Sequence, residues 1–188
     1  MDTGDMLLKA YTDINLFENA YQIAEKLANQ GADLLIETLE KLESNEIQAV
    51  PQNNEEATYA SLINKDDFIV DWNKSAIAIH NQIRGFYPNC FTSFRDDKLK
   101  IMATIPMDDD YLQSLDESYQ ELNNQLKSLD KTIGKPGEVI GLIKNFGPVI
   151  KTGKGLLLLS EIQRSGKRPQ SGWDLVNGTH LKVGELLS

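Results

Sequence analysis

The residue types able to do chemistry are few in this chain of 188 residues, and most stand alone. Asp2, Thr3 and Gly4 spell the tripeptide of enzymes that pair two carboxylates around one shared proton. That chemistry needs an apolar strand leading into the Asp and a second carboxylate on a related strand, and neither accompanies Asp2. His80 falls within a helical pattern beside Asn81 and Arg84, where a histidine is more often structural or on the surface than catalytic. His80, His180 and Cys90 lack the spacing of metal ligands, so no metal site is expected. Gly153, Lys154 and Gly155 lack the strand, glycine loop and helix order of a phosphate cradle and read as a hairpin turn. Arg164, Lys167 and Arg168 cluster in a polar loop with Ser165, Gly166 and Pro169. Such a loop is either a solvated turn or a phosphate contact.

Charge gives that loop a context. The chain carries −9 overall, which argues against nucleic acid as a partner. The charge is unevenly spread: residues 135–188 hold eight basic and four acidic groups, so this tail is +4 and the first 134 residues are −13. A basic module follows an acidic body. The 40% hydrophobic and 25% charged composition is that of a globular chain. No window approaches the run of about 18 apolar residues that a membrane-spanning helix needs. The first residues carry no basic export signal, and Cys90 has no intramolecular partner, so a cytoplasmic, reducing location is expected.

The elements that must position these groups are legible in outline. From Asn15 to Leu42 apolar residues recur at spacings of three and four, predicting an amphipathic helix that starts on an Asn15–Glu18 capping box and is interrupted near Gly31. Its apolar face should pack on a layer this chain does not obviously supply. Residues 44–64, with Pro51 and a polar run, read as a linker. Residues 67–72 are expected as a strand, and 75–86 as a helix with Ala76, Ile79, Ile83 and Phe86 on one side. Residues 90–95 and 99–105 predict a hairpin around Asp96 and Asp97. Segments 138–143, 148–152 and 156–162 are further strands, and 171–176 is a short capped helix closed by Asn177 and Gly178. The acidic stretch 108–134 reads as an inserted, solvated helix. Short strands with a helix at each end suit a small barrel, giving an α+β chain.

Taken in order, the motifs resemble the methionyl-tRNA formyltransferase family. The run from Asp2 to Leu7 is similar to the end of that family's catalytic domain. Glu56 to Ala60, then Asp71 and Trp72, resemble the junction into its C-terminal domain. Ile79-His80-Asn81-Gln82-Ile83-Arg84-Gly85 with Tyr87 and Pro88 resembles the first helix of that domain and its exit, although Asn89 stands where the family usually has Trp. Pro136 to Ile140, Leu157 to Gln163 and Gly166 to Arg168 resemble the later strands and the basic loop.

The resemblance implies three segments. Residues 1–43 would be the helical remnant of a Rossmann-like formyltransferase domain, 44–64 a linker, and 65–188 an OB-like tRNA-binding barrel with the insertion 108–134. It further implies transfer of a formyl group from 10-formyltetrahydrofolate to the amino group of methionine on initiator tRNA, with Asp2 as the catalytic carboxylate. The tRNA contacts would come from Arg84, Arg164, Lys167 and Arg168. The family's Asn-x-His motif and folate loop lie upstream of anything present here. A fragment inactive alone, a monomer except where it meets the N-terminal half, is therefore expected. Two other readings compete: a stand-alone tRNA- or RNA-binding module without catalysis, and a formyltransferase acting on a sugar nucleotide.

Overall fold

The computed structural model describes residues 3–115, 119–126 and 134–188. The chain divides into two compact units, Met1–Ile63 and Asn64–Ser188.

The first unit is built on one helix, α1 (Ala20–Glu43). The helix begins later than the sequence pattern suggests. Asn15 and Glu18 form only a turn, in which the Glu18 carboxylate accepts from the Asn15 N–H at 2.7 Å. The working cap is Asn19: its side chain accepts from the Tyr21 and Gln22 N–H groups, and Gln22 Oε1 accepts in return from the Asn19 N–H at 2.9 Å. Nor does Gly31 interrupt the helix. A mid-helix glycine costs about 1 kcal/mol relative to alanine, which a 24-residue helix absorbs. None of its side chains is buried, and Leu27, Leu35, Ile36 and Leu39 are about half exposed or more. Residues 44–63 hold one 3-10 turn, Asn54–Glu56, and Val50 exchanges two backbone hydrogen bonds with Met6.

The second unit carries the sheet. A 3-10 turn, Lys65–Phe68, leads into α2 (Ala76–Gly85), which is capped by the Ser75 hydroxyl. The strand expected at 67–72 is absent from this stretch. Asn64 and Asp67 tighten the chain into the turn, leaving a single parallel bridge from Ile69 to Phe91. The strands are β1 (Phe91–Phe94), β2 (Asp97–Pro106), β3 (Val139–Ile143), β4 (Gly147–Lys151), β5 (Leu156–Arg164) and β6 (Gln170–Ser171). All ladders are antiparallel, in the order β1-β2-β5-β4-β3, with β6 also on β5. The predicted hairpin turns one residue earlier than expected. Arg95 and Asp96 both have φ above zero, as a two-residue hairpin loop of the twist-matched kind requires. Gly153, Lys154 and Gly155 do join β4 to β5 as a turn.

Strand β5 explains its own sequence. Residues 156–159 are four leucines, all buried, because both faces of this strand are covered. Leu157 and Leu159 face Trp72, Ile79, Ile83, Ile101 and Leu175, whereas Leu156 and Leu158 face Ile105, Ile143, Val149 and Leu122. Leu122 lies on α4 (Gln120–Leu126), which with α3 (Asp109–Gln113) occupies the acidic stretch. The expected single solvated helix is thus two short helices with buried apolar residues, Tyr111 and Leu122; residues 116–118 and 127–133 lie outside the described residues. Helix α5 (Gly172–Thr179) starts on a Ser171 cap and runs past the predicted Asn177–Gly178 stop to His180, whose left-handed conformation closes it.

Among the described residues no ladder joins β1 directly to β3. Residues 184–188 lie between them: Ser93 exchanges two backbone hydrogen bonds with Ser188, Leu187 N–H donates to Gly137, and Val139 pairs with Gly184 and Glu185. The architecture is a mixed one of helices and antiparallel sheet, in keeping with the α+β expectation.

Candidate nucleic-acid interface

The basic loop sits between β5 and β6. Lys167 N–H donates to the Arg164 carbonyl at 3.0 Å, Gly166 supplies the positive φ that this tight turn needs, and Gln163 Nε2 holds the Lys167 carbonyl at 2.9 Å. Loop and strand end are therefore held by one backbone bond and one from the Gln163 amide, neither of which uses a cationic side chain.

Sheet register brings a second strand beside them. Leu99 pairs with Arg164 and Lys100 with Gln163, while on the other side Lys98 pairs with Ser93 and Lys100 with Phe91. Strand alternation turns Leu99 and Ile101 inward, both buried, and puts Lys98 and Lys100 on the outer face. The Lys98 ammonium lies 3.5 Å from the centre of the Phe91 ring. A cleft of about 280 Å³ results, lined by Lys98, Lys100, Gln163, Arg164, Ser165, Gly166 and Lys167. Its lining carries four cations and no carboxylate. None of the four takes part in an ion pair among the described residues. Like charges lining one cleft repel, so the arrangement suits an anion.

Of the residues singled out in the sequence, Arg164 and Lys167 meet in this cleft, and Arg168 is exposed in the same loop without lining it. Arg84 is not brought there; it stays half-buried on α2 with its Nε donating to Asn81 Oδ1 at 2.8 Å. Asp2 lies outside the described residues. Sequence reasoning missed Lys98 and Lys100, although the alternation Lys98-Leu99-Lys100-Ile101 marks both lysines as facing away from the core.

Neighbouring groups are otherwise engaged. Arg95, on the same hairpin, donates through Nε and Nη2 to the two Glu185 oxygens at 2.8 Å and through Nη1 to the Thr179 carbonyl. Each partner holds the other in its charged form: the hydrogen bond to Arg95 lowers the Glu185 pKa, and that to Glu185 raises that of Arg95. His80 is buried rather than at the surface, with Nδ1 2.8 Å from Thr104 Oγ1 and its ring edge-on to Tyr111. Burial pushes the Cys90 thiol up to about 11, far from the range of a nucleophile at neutral pH. Among the described residues no group of three or more His, Cys, Asp and Glu could hold a metal ion, and no helix is long and apolar enough to cross a membrane.

Residues 62–180 match the model of the formyl transferase, C-terminal domain. A methionyl-tRNA formyltransferase of Gloeothece citriformis is 59% identical over 186 residues, covering 98% of this chain and 56% of the relative. The chain thus spans about half the length of the curated relatives it matches. Among solved structures, HypX from Aquifex aeolicus in complex with tetrahydrofolic acid aligns over 98% of this chain and 29% of its own, with a TM-score of 0.60 at 15% identity. WlaRD, a sugar 3N-formyl transferase, aligns over 89% and 52% with a TM-score of 0.55 at 18% identity. These two likenesses concern the fold alone. The long match to the family model, carried through the sheet and the basic loop, shows that this chain belongs to the formyl transferase C-terminal domain family.

Proposed function

We propose that this chain is the C-terminal part of a methionyl-tRNA formyltransferase, in which residues 65–188 hold initiator methionyl-tRNA while the rest of the enzyme transfers the formyl group. One observation carries the reading: 59% identity over 98% of the chain to a protein of that name. The cationic cleft supports it, because an acidic chain that binds RNA must concentrate its positive charge locally. A sugar-nucleotide substrate is not favoured, since the likeness to a sugar enzyme is one of fold at 18% identity.

In this reading residues 1–43 are the remnant of a Rossmann-like catalytic domain, which gives the exposed apolar residues of α1 a layer to cover them. Residues 44–64 are the linker. The sheet, with the insertion 108–134, belongs to an OB-like barrel, a reading supported by the backbone bonds of residues 184–188 to β1 and to the start of β3. The protein works as a cytoplasmic monomer once joined to its N-terminal half.

The chemistry is transfer of the formyl carbon to the methionine amine: the new C–N bond forms, the carbon's bond to the donor nitrogen breaks and that nitrogen gains the proton the amine loses, with an Asn and a protonated His on the rest of the enzyme stabilising the oxyanion. Asp2 orients that His and assists proton movement. The formyl donor is 10-formyltetrahydrofolate, and the described residues do not fit it. The cleft nearest the start of the chain, about 640 Å³, is lined by Thr3, Met6, Lys9 and residues 51–54 and 56–59. Its one aromatic side chain, Tyr59, is 99% exposed and forms no slot for a flat pterin. Contacts to the folate belong to the part of the relatives that this chain does not span.

The test is binding of charged initiator tRNA to the full chain across a salt series, together with a formylation assay. Expected are steeply salt-dependent binding, weakened by joint change of Arg84, Arg164, Lys167 and Arg168 to Gln, and no formylation by the chain alone. Salt-insensitive binding would overturn the basic-loop role. Formylation by the chain alone, unchanged in Asp2→Ala, would overturn the role of Asp2.

A further inference from the structure

Residues 44–64, a linker by their sequence, carry a strap across the start of the chain. Met6 and Val50 exchange two backbone hydrogen bonds, of 2.8 and 2.9 Å, as one antiparallel bridge. In an antiparallel ladder the next pair to bond lies two residues along each strand, here Gly4 and Gln52. The Gly4 carbonyl is taken by a side chain of the strap: Gln52 Nε2 donates to it at 2.7 Å, across 48 positions of sequence. Pro51, which has no N–H and a fixed φ, stands between the two contacts and sets the direction in which Gln52 leaves the bridge. Beyond Gln52 the strap turns away at once. The Asn53 side chain accepts from the Glu55 N–H and donates to the Glu56 carboxylate, closing the 3-10 turn Asn54–Glu56.

The bond falls where the chain most needs one. Gly4 has the widest backbone freedom of any residue type, and nothing lies within 4 Å of where a side chain on it would stand, so packing does not fix it. A single exposed hydrogen bond stabilises a fold only modestly; what it supplies here is direction. Asp2 is two peptide units from Gly4, its Cα no more than about 7.6 Å away. We infer that Gln52 is a positioning residue for Asp2: by holding the Gly4 carbonyl it fixes the backbone leading to Asp2, and so sets the aim of that carboxylate at the histidine it orients on the rest of the enzyme. This inference rests on the reading of Asp2 as the carboxylate of formyl transfer. Residues 51–54 of the strap also wall the cleft of about 640 Å³ beside Thr3, so the strap braces the segment without filling the space next to it.

The experiment restores the whole enzyme by joining this chain to the part of the Gloeothece citriformis relative that it does not span. Formylation of initiator methionyl-tRNA is followed in the unaltered protein, in Gln52→Glu, which keeps the shape but loses the donor, and in Gln52→Lys, which keeps a donor. Asp2→Ala is measured alone and combined with Gln52→Glu. Gln52→Glu should lower kcat about 10- to 100-fold, the cost of displacing a reacting group by up to about 1 Å, with KM and melting temperature unchanged. Gln52→Lys should regain most of that loss. The double variant should be no slower than Asp2→Ala, since Gln52 acts through Asp2. In the full chain by itself, amide exchange at Met6 and Val50 should quicken about fivefold in Gln52→Glu, as loss of one adjoining hydrogen bond predicts. Unchanged kcat in Gln52→Glu, a loss that multiplies with that of Asp2→Ala, a rise confined to KM, or unchanged amide exchange would each overturn the positioning role and leave Asp2 in formyl transfer standing. If Asp2→Ala formylates as fast as the unaltered enzyme, the reading of Asp2 falls and the role of Gln52 with it.

Discussion

Arg95 and Glu185, 90 residues apart, are joined by two parallel hydrogen bonds of 2.8 Å, fastening the β1–β2 turn to the segment between β3 and β1. Their side chains are 49% and 25% exposed, so solvent screens the pair and its contribution is modest and salt-sensitive. The pairing nevertheless has a definite pH signature. The folded-state pKa of Glu185 lies below the ordinary glutamate value of 4.5, chiefly because of the hydrogen bond from Arg95. Its stabilisation is therefore complete above pH 4.5 and disappears as pH falls through the lowered folded value. Thermal melts from pH 7 to pH 3 should show Glu185→Gln less stable than the unaltered chain at neutrality, with the gap closing in acid.

The Trp72 indole N–H donates to Thr92 Oγ1 at 3.0 Å, and that hydroxyl donates in turn to the Ser188 carbonyl at 3.1 Å. Both Trp72 and Thr92 are buried. Thr92→Val keeps the shape but strands a buried donor, at a cost of about 1–3 kcal/mol. Urea unfolding should report this loss, and amide exchange at Ser93 and Ser188 should quicken.

Leu122 tests the packing of the insertion. It is fully buried against Ile105, Ile143, Val149 and Leu158. Leu122→Ala should destabilise the second unit by about 2–5 kcal/mol, as core truncations do. A surface-like cost in denaturant unfolding would contradict the described core.

Two glycines should respond in opposite directions to alanine. A Cβ at Gly153 would stand 1.8 Å from the Asn73 carbonyl oxygen, while its N–H already donates to the Trp72 and Lys74 carbonyls. Gly153→Ala should destabilise by at least the ~1–3 kcal/mol of an overpacked site. At Gly31 nothing lies within 4 Å and the backbone is helical, so Gly31→Ala should stabilise α1 by about 1 kcal/mol. Circular dichroism melts of the two variants give the comparison.

Much of the second unit was legible because its signals are local. The β1–β2 hairpin shows in the alternation of Phe91–Phe94 and Lys98–Ile101, the β4–β5 turn in two glycines, and α2 in its apolar spacing and serine cap. The errors arose where two local signals compete or where the deciding partner is distant in sequence. Asn15 and Asn19 are each followed three residues on by Glu or Gln, so the helix start was ambiguous, and the periodicity of 67–72 gave way to the Asn64–Asp67 turn. Leu122 looked like part of a solvated helix because its partners lie on β2, β3, β4 and β5. The cationic loop was visible as composition. Its completion by Lys98 and Lys100 depends on the β2–β5 register, which joins segments more than 60 residues apart.

Residues 184–188 also set when this unit can finish folding. A growing chain that has emerged as far as β6 has every strand of the sheet available, yet Ser93, Gly137 and Val139 still lack partners from the segment that follows α5. These backbone bonds can therefore form only after α5 has been made. Until then the exposed strand edges are available to chaperones or to a neighbouring nascent chain.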